Sequence, residues 1–224
     1  MEKNVKYGVG YKTFYLNSKK NSIHSGKYFY GGFSYQFGDK YLNKIQFQVS
    51  NSNREIFQDI LYISAATAGN IYYDIAFKSI SLKKTTNYIG LHLGNDFNLN
   101  FFPKIDDKNL FWLNQTFMGI SFLNRYYLSE EVWIELNTHI PVISRIIYNK
   151  FDRLTSKIPN SKSVKSYSGS INKLFNAHTE LGYNFSSYGL KWGVYYQLEI
   201  NSMSETKTNK LNSYANSVSL RIIY

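Results

Sequence analysis

The last eleven residues of the chain, YANSVSLRIIY from Tyr214 to Tyr224, alternate strictly. Val218, Leu220, Ile222 and Tyr224 share one parity, while Ala215, Ser217, Ser219 and Arg221 share the other. A period of two belongs to an extended strand, whose successive side chains leave on opposite faces. A soluble sheet turns the apolar face toward a core. A closed barrel in a bilayer turns it toward lipid and keeps polar side chains inside.

The same pattern recurs along the chain and predicts ten strands. The first covers about 5–16, with Val5, Tyr7, Val9 and Tyr11 opposed to Lys6, Gly8, Gly10 and Lys12. The second and third, about 28–37 and 41–50, flank a tight turn at Gly38-Asp39-Lys40. The fourth and fifth, about 71–82 and 88–101, flank Lys83-Lys84-Thr85-Thr86. The sixth, about 110–122, has the weakest alternation, because Asn114-Gln115-Thr116 puts polar groups on both faces. The seventh covers about 131–146, the eighth about 172–185, the ninth about 188–202, and the tenth is the terminal strand. Segment 54–66 leaves room for a further strand, so eight or twelve remain as alternatives to ten.

Strands of about ten residues exceed the soluble mean of about five to six and match the roughly 9–11 tilted residues that cross a bilayer. The connections sort by length as well. Short turns follow the even strands, and longer segments at 17–27, 51–70, 103–109, 148–170 and 203–210 follow the odd ones. Short turns on one side and long loops on the other is the transmembrane barrel arrangement. The expected fold is therefore all-β: a single domain over 1–224, closed as an antiparallel up-and-down transmembrane barrel. The structural rival is a soluble two-sheet sandwich.

Composition agrees. The chain has 21 Tyr and 16 Phe but only 3 Pro, which suits long unbroken strands and rings at a membrane interface. The mean hydropathy of −0.36 does not oppose a barrel, since half of each strand is polar. No apolar run reaches the length of a spanning helix. MEKNVKYGVGY has no apolar stretch typical of a signal peptide, so such a segment is expected to have been removed. With no Cys, disulfides and thiolate chemistry are excluded. The net charge of +11 is spread through loops rather than gathered on a helix, which argues against nucleic acid and for anionic membrane surfaces.

Val218, Leu220 and Ile222 before a final Tyr224 resemble the C-terminal signal read by the barrel-assembly machinery of bacterial outer-membrane proteins. WIELNTHIPVISRIIY, with Pro141 in it, is similar to small outer-membrane barrels of the Bacteroidota. The resemblance implies a Gram-negative outer membrane and the assembly machinery as a partner during biogenesis. It names no functional family.

The candidate chemistry lies on the predicted inner face. Glu135, Asn137 and His139 follow one another at every second residue, so all three point inward, and a His beside a carboxylate suits general acid/base work. A Ser is needed to complete a lipid-hydrolase set, and Ser144 has the opposite parity. The inward set Lys6, Lys12, Lys44, Asp74, His92, Asp96, Glu135, His139, His178, Glu180, Lys191, Glu199 and Arg221 carries both signs and reads as a network that fills the lumen. His92, His139 and His178 would make a metal site if the strands brought them to one level, but no spacing requires it. No cofactor is implied, and no metal is assigned. Lys150, Arg153, Lys157, Lys162 and Lys165 fall in one long loop, where lipopolysaccharide phosphates would meet them. ILYISAATAG, residues 60–69, is apolar for a loop and would fold over the barrel mouth or a partner protein.

The expected function is a non-enzymatic accessory or binding barrel, acting through its loops with a plugged lumen. The alternatives are a narrow diffusion channel and a lipid-modifying enzyme.

Overall fold

The computed structural model describes residues 3–18, 22–57, 60–101, 110–149, 164–170, 174–204 and 210–224. The strands are β1 (Lys3–Ser18), β2 (Ser22–Phe37), β3 (Tyr41–Phe57), β4 (Ile60–Leu82), β5 (Thr85–Phe101), β6 (Leu110–Tyr127), β7 (Val132–Asn149), β8 (Val164–Ser170), β9 (Leu174–Ser187), β10 (Leu190–Ser204) and β11 (Lys210–Ile223). Antiparallel ladders join sequential neighbours from β1 to β7, then β7 to β9, β9 to β10 and β10 to β11. β11 returns to β1, where Val5 and Tyr224 exchange backbone hydrogen bonds of 2.9 and 2.8 Å.

Among the described residues, eleven strands fill ten positions in the wall. β8 lies on the upper half of β7, from Ile143 to Asn149. The β9 ladder on β7 stops at His139 opposite His178. β8 and β9 therefore share the eighth position: β9 is the predicted eighth strand, and β8 lies within the segment read as the long loop 148–170. This is the closed antiparallel ten-stranded barrel expected from the alternation.

Three expectations are corrected. Residues 60–69 are not a loop over the mouth. They form the first part of β4, paired with β3, because a hydrophobic stretch rich in Ile and Ala extends a strand at no cost in ladder hydrogen bonds. The 51–70 connection shrinks accordingly, and β2 starts at Ser22, well before the expected boundary. Lys191 does not join the lumen. It is the second residue of β10, just after the Tyr188-Gly189 turn, and is exposed. That turn has positive φ at both residues, 53° and 73°, which matches the twist of a two-residue hairpin.

The barrel is apolar outside and polar inside. Val9, Ile71, Leu91, Ile143, Val218 and Leu220 are among the many large apolar residues on the outer surface. Lys6, Lys44, Asp74, Arg125, Glu135, Glu180 and Arg221 are buried in the lumen. A soluble protein shows the reverse distribution. Only a lipid surround makes such an outer face stable, and a closed barrel leaves no backbone donor or acceptor at an open sheet edge in the hydrocarbon. Rings pack on the outer face near the turns, with Tyr7 against Tyr224 at 6.2 Å and Tyr35 stacked on Phe37 at 5.2 Å. The chain is a transmembrane β-barrel of the outer-membrane type. The terminal residues Val218, Leu220 and Tyr224 point outward on this face, and Ile222 shares their parity.

Candidate functional site in the barrel lumen

At the turn end, Leu42, Ala76, Tyr88 and Leu123 form a buried apolar cluster across β3 to β6. Polar side chains fill the lumen above it. The first tier centres on Glu135 of β7. Lys6 Nζ, from β1 across the barrel, donates to Glu135 Oε1 at 2.8 Å, and Arg125 Nε donates to Oε2 at 3.0 Å. Arg125 also donates to Gln36 Oε1 at 2.5 Å. Lys6 donates to Tyr195 Oη at 2.7 Å, and Tyr195 donates on to Asn184 at 2.5 Å. Lys6 Nζ lies 4.9 Å and the Arg221 guanidinium carbon 4.0 Å from the centre of the Tyr195 ring. Cations over a ring face add attraction where water is excluded.

The second tier centres on Glu180 of β9. Arg221 Nη2 and Gln197 Nε2 both donate to Glu180 Oε2 at 2.5 Å, and Lys44 Nζ lies 3.7 Å from Oε1. Ser217 donates to Gln197 at 3.0 Å, and Asn70 donates to Gln48 at 3.2 Å, extending the polar fill. Nearer the loop side, Lys12 pairs with Glu199 at 2.8 Å and Tyr72 Oη donates to Asp96 at 2.8 Å.

On the loop side of the Glu180 tier lies a histidine tier. Asp74 and His92 are ladder partners on β4 and β5, and His139 and His178 are ladder partners on β7 and β9. β6 separates the two pairs, yet its residue opposite His92 is Gly119. With no side chain there, the two imidazoles meet: His92 stacks on His139 at 3.8 Å between centroids and 7° between planes. The backbones of β6 and β7 are also close at this point. A Cβ on Gly119 would stand 2.2 Å from the Ile140 carbonyl oxygen. His92 Nδ1 lies 2.7 Å from Asp74 Oδ1, His139 Nε2 lies 3.2 Å from Asp74 Oδ2, and His139 Nδ1 lies 3.1 Å from His178 Nδ1. Tyr72 packs against His92, His178 and Phe117.

The candidate residues thus divide. Lys6, Lys44, Asp74, His92, Glu135, His139, His178, Glu180 and Arg221 are buried in the lumen, and Lys12, Asp96 and Glu199 are half-buried toward its loop end. Glu135, Asn137 and His139 all point inward but belong to different tiers. Glu135 is held by Lys6 and Arg125, and His139 faces Asp74 and His178. Asn137 Nδ2 has no hydrogen-bond partner among the described residues. Lys150, Arg153, Lys157 and Lys162 lie outside the described residues, as does the side chain of Lys165.

The parity of Ser144 is a further correction. Gly119 opposes Pro141 and Met118 opposes Ile143, so Val142 is an extra residue, a β-bulge. Pro141 and Ser144 are both buried, while Val142 and Ile143 face out. One inserted residue flips the parity beyond it, and Ser144 enters the lumen. Pro141 was the available signal: it has no N–H for a ladder, so within a long strand it sits at bulges or edges. Arg125 was also missed, because the Asn114-Gln115-Thr116 run hid the parity of β6. The alternation of Gly119, Ser121 and Leu123 with Ile120 and Phe122 carried that information.

No protein-family model and no curated protein matches the chain. Among solved structures, the translocator domain of the autotransporter NalP from Neisseria meningitidis is 9% identical, with a TM-score of 0.46 over 98% of this chain and 88% of that one. The Pseudomonas putida toluene transporter TodX is 9% identical, with a TM-score of 0.35 over 99% of this chain and 70% of that one. Ail of Yersinia pestis, solved with a heparin analogue, is 9% identical, with a TM-score of 0.35 over 99% of each chain. The fold assignment rests on the ladders and sidedness of this chain itself.

Proposed function

We propose that this outer-membrane barrel is closed and non-conducting, and that it acts by binding at its loop side. One observation carries this reading: the lumen is crossed by successive tiers of paired side chains. Lys6, Glu135 and Arg125 span it, and so do Arg221, Glu180 and Lys44. A cavity between Lys6, Tyr30, Gln46, Gln48 and Arg221 measures about 10 Å³, on the scale of about one water. An ion crossing the barrel would have to break desolvated ion pairs in sequence, each costly to separate.

Function then falls to the loop side. The basic segment with Lys150, Arg153, Lys157, Lys162 and Lys165 suits lipopolysaccharide phosphates, and a further outer-membrane protein is the other partner class. Assembly through the terminal Val218-to-Tyr224 signal belongs to the same proposal. His139 has no exposed surface, which leaves no path for a lipid to reach it as a base.

Planar-bilayer recording of the refolded barrel tests the proposal. Silence is expected, and steady unitary openings would establish the diffusion-channel reading instead. Purification from native membranes in mild detergent is expected to bring lipopolysaccharide or a second membrane protein with the barrel.

A further inference from the structure

We propose that Asp74, His92 and His139 form a lumenal binding site for one divalent transition ion of the zinc class. One ligand atom from each lies within 4.8 Å of the others. They come from β4, β5 and β7, and Gly119 on the intervening β6 lets the two imidazoles share one space. A tetrahedral ion with bonds of about 2.0–2.2 Å holds its ligand atoms roughly 3.2–3.5 Å apart. Asp74 Oδ2 to His139 Nε2 is already 3.2 Å, and Asp74 Oδ1 to His92 Nδ1 is 2.7 Å. The two rings are stacked at 3.8 Å and 7° from parallel, so entry of an ion turns at least one imidazole out of the stack, to bring both in-plane nitrogen lone pairs onto one point.

The orientation of His139 supplies an independent observation. Its Nε2 has ion-pair distance to Asp74 but no hydrogen-bond partner among the described residues. This nitrogen is fully buried and faces the Asp74 carboxylate, so an ion held by that carboxylate lies within its reach.

His178 completes the arrangement from behind. When His139 coordinates through Nε2, its proton sits on Nδ1, which donates to His178 Nδ1 at 3.1 Å. A metal-bound His commonly has its second nitrogen fixed in this way. Coordination through His92 Nδ1 and His139 Nε2 places the ring protons of these two side chains on His92 Nε2 and His139 Nδ1. A nearby cation, Lys44, is the ladder partner of Asp74 and lies 3.7 Å from Glu180, a carboxylate that it shares with Arg221. Two nitrogens and one carboxylate select borderline transition ions over calcium or magnesium, which take oxygen cages. Three protein ligands leave a fourth position open.

The site is buried, so the ion is loaded as the barrel folds. The test refolds the chain with zinc(II) or cobalt(II), exchanges it into metal-free buffer, and measures metal per folded chain by elemental analysis. Folding is scored by the heat-dependent gel shift of a closed barrel. About one equivalent is expected, with visible cobalt bands that signal nitrogen ligation and vanish when zinc(II) competes. His92→Gln and Asp74→Asn are expected to lose the ion. His178→Gln should bind about 10–100-fold more weakly, and His24→Gln should bind normally. A folded wild-type barrel without stoichiometric metal would overturn the proposal. So would undiminished binding by folded His92→Gln. If that variant fails to fold, the cobalt spectrum of the wild type and the His178→Gln affinity decide.

Discussion

Two tiers of one lumen, four residues apart on β7, handle buried charge in different ways. Around Glu135, every charge is fixed. A carboxylate is held by Lys6 and Arg125, one oxygen each, and the cations reach on to Tyr195 and Gln36. Around Asp74, one carboxylate faces imidazoles that need not be charged, and Nε2 atoms of His92, His139 and His178 have no hydrogen-bond partner among the described residues. The first arrangement is complete as it stands and locks the barrel wall. The second has coordinating capacity left over. The difference separates a structural plug from a site.

The comparison can be broken or sharpened at specific residues. The largest effect is expected from Glu135→Gln, which strands two buried cations. Removing one partner of a buried pair costs about 3–5 kcal/mol. Urea unfolding of the barrel from lipid vesicles, followed by tryptophan fluorescence, measures it, and a loss below about 1 kcal/mol would mean that this tier is not the lock. His92→Gln in the histidine tier should cost less, about 1–3 kcal/mol, the range for a lost buried hydrogen-bond partner. If the two substitutions cost the same, the tiers do not differ in kind.

Gly119→Ala tests what brings the histidines together. The added Cβ meets the β7 backbone at Ile140 and Pro141, and overpacking of this kind costs about 1–3 kcal/mol. The expected signature is loss of stability with a larger fractional loss of any bound cobalt(II), since His92 and His139 would be driven apart. Stability loss with unchanged metal content would detach Gly119 from the site.

The smallest effect is expected outside the membrane. Asp39, in the β2–β3 turn, pairs with Lys78, and that hydrogen bond holds its carboxyl below the ordinary carboxylate range. A depressed carboxylate contributes stability above its unfolded pKa and loses it as pH falls through the folded value. The pair is solvent-screened and weak, so Asp39→Asn should leave the unfolding midpoint unchanged from neutral to mildly acid pH. A clear shift would show that charge outside the barrel matters as much as charge within it.

Much of this was legible in the chain. Lys6, Glu135, Glu180 and Arg221 were assigned to the lumen by parity alone, because alternation is a local property. Which of them would meet was not legible. Lys6 and Glu135 are 129 residues apart, and their contact depends on barrel closure and on the register of every ladder between. Ser144 was misplaced because parity cannot be carried through a bulge, and Lys191 because a strand's end leaves the lumen before its pattern stops. The loop expected at 60–69 was strand, since apolar residues beyond the membrane band still favour pairing.

By itself the sequence determined that this protein alternates, that its alternating faces number about ten, and that the apolar face must find lipid or a core. Side-chain chemistry along an extended chain is enough for that. Only the tertiary structure decided that the faces close into one barrel, that Val142 bulges, and that Gly119 lets histidines from β5 and β7 stack beside Asp74. Those outcomes come from register and from backbone approach between distant strands, which no local pattern encodes.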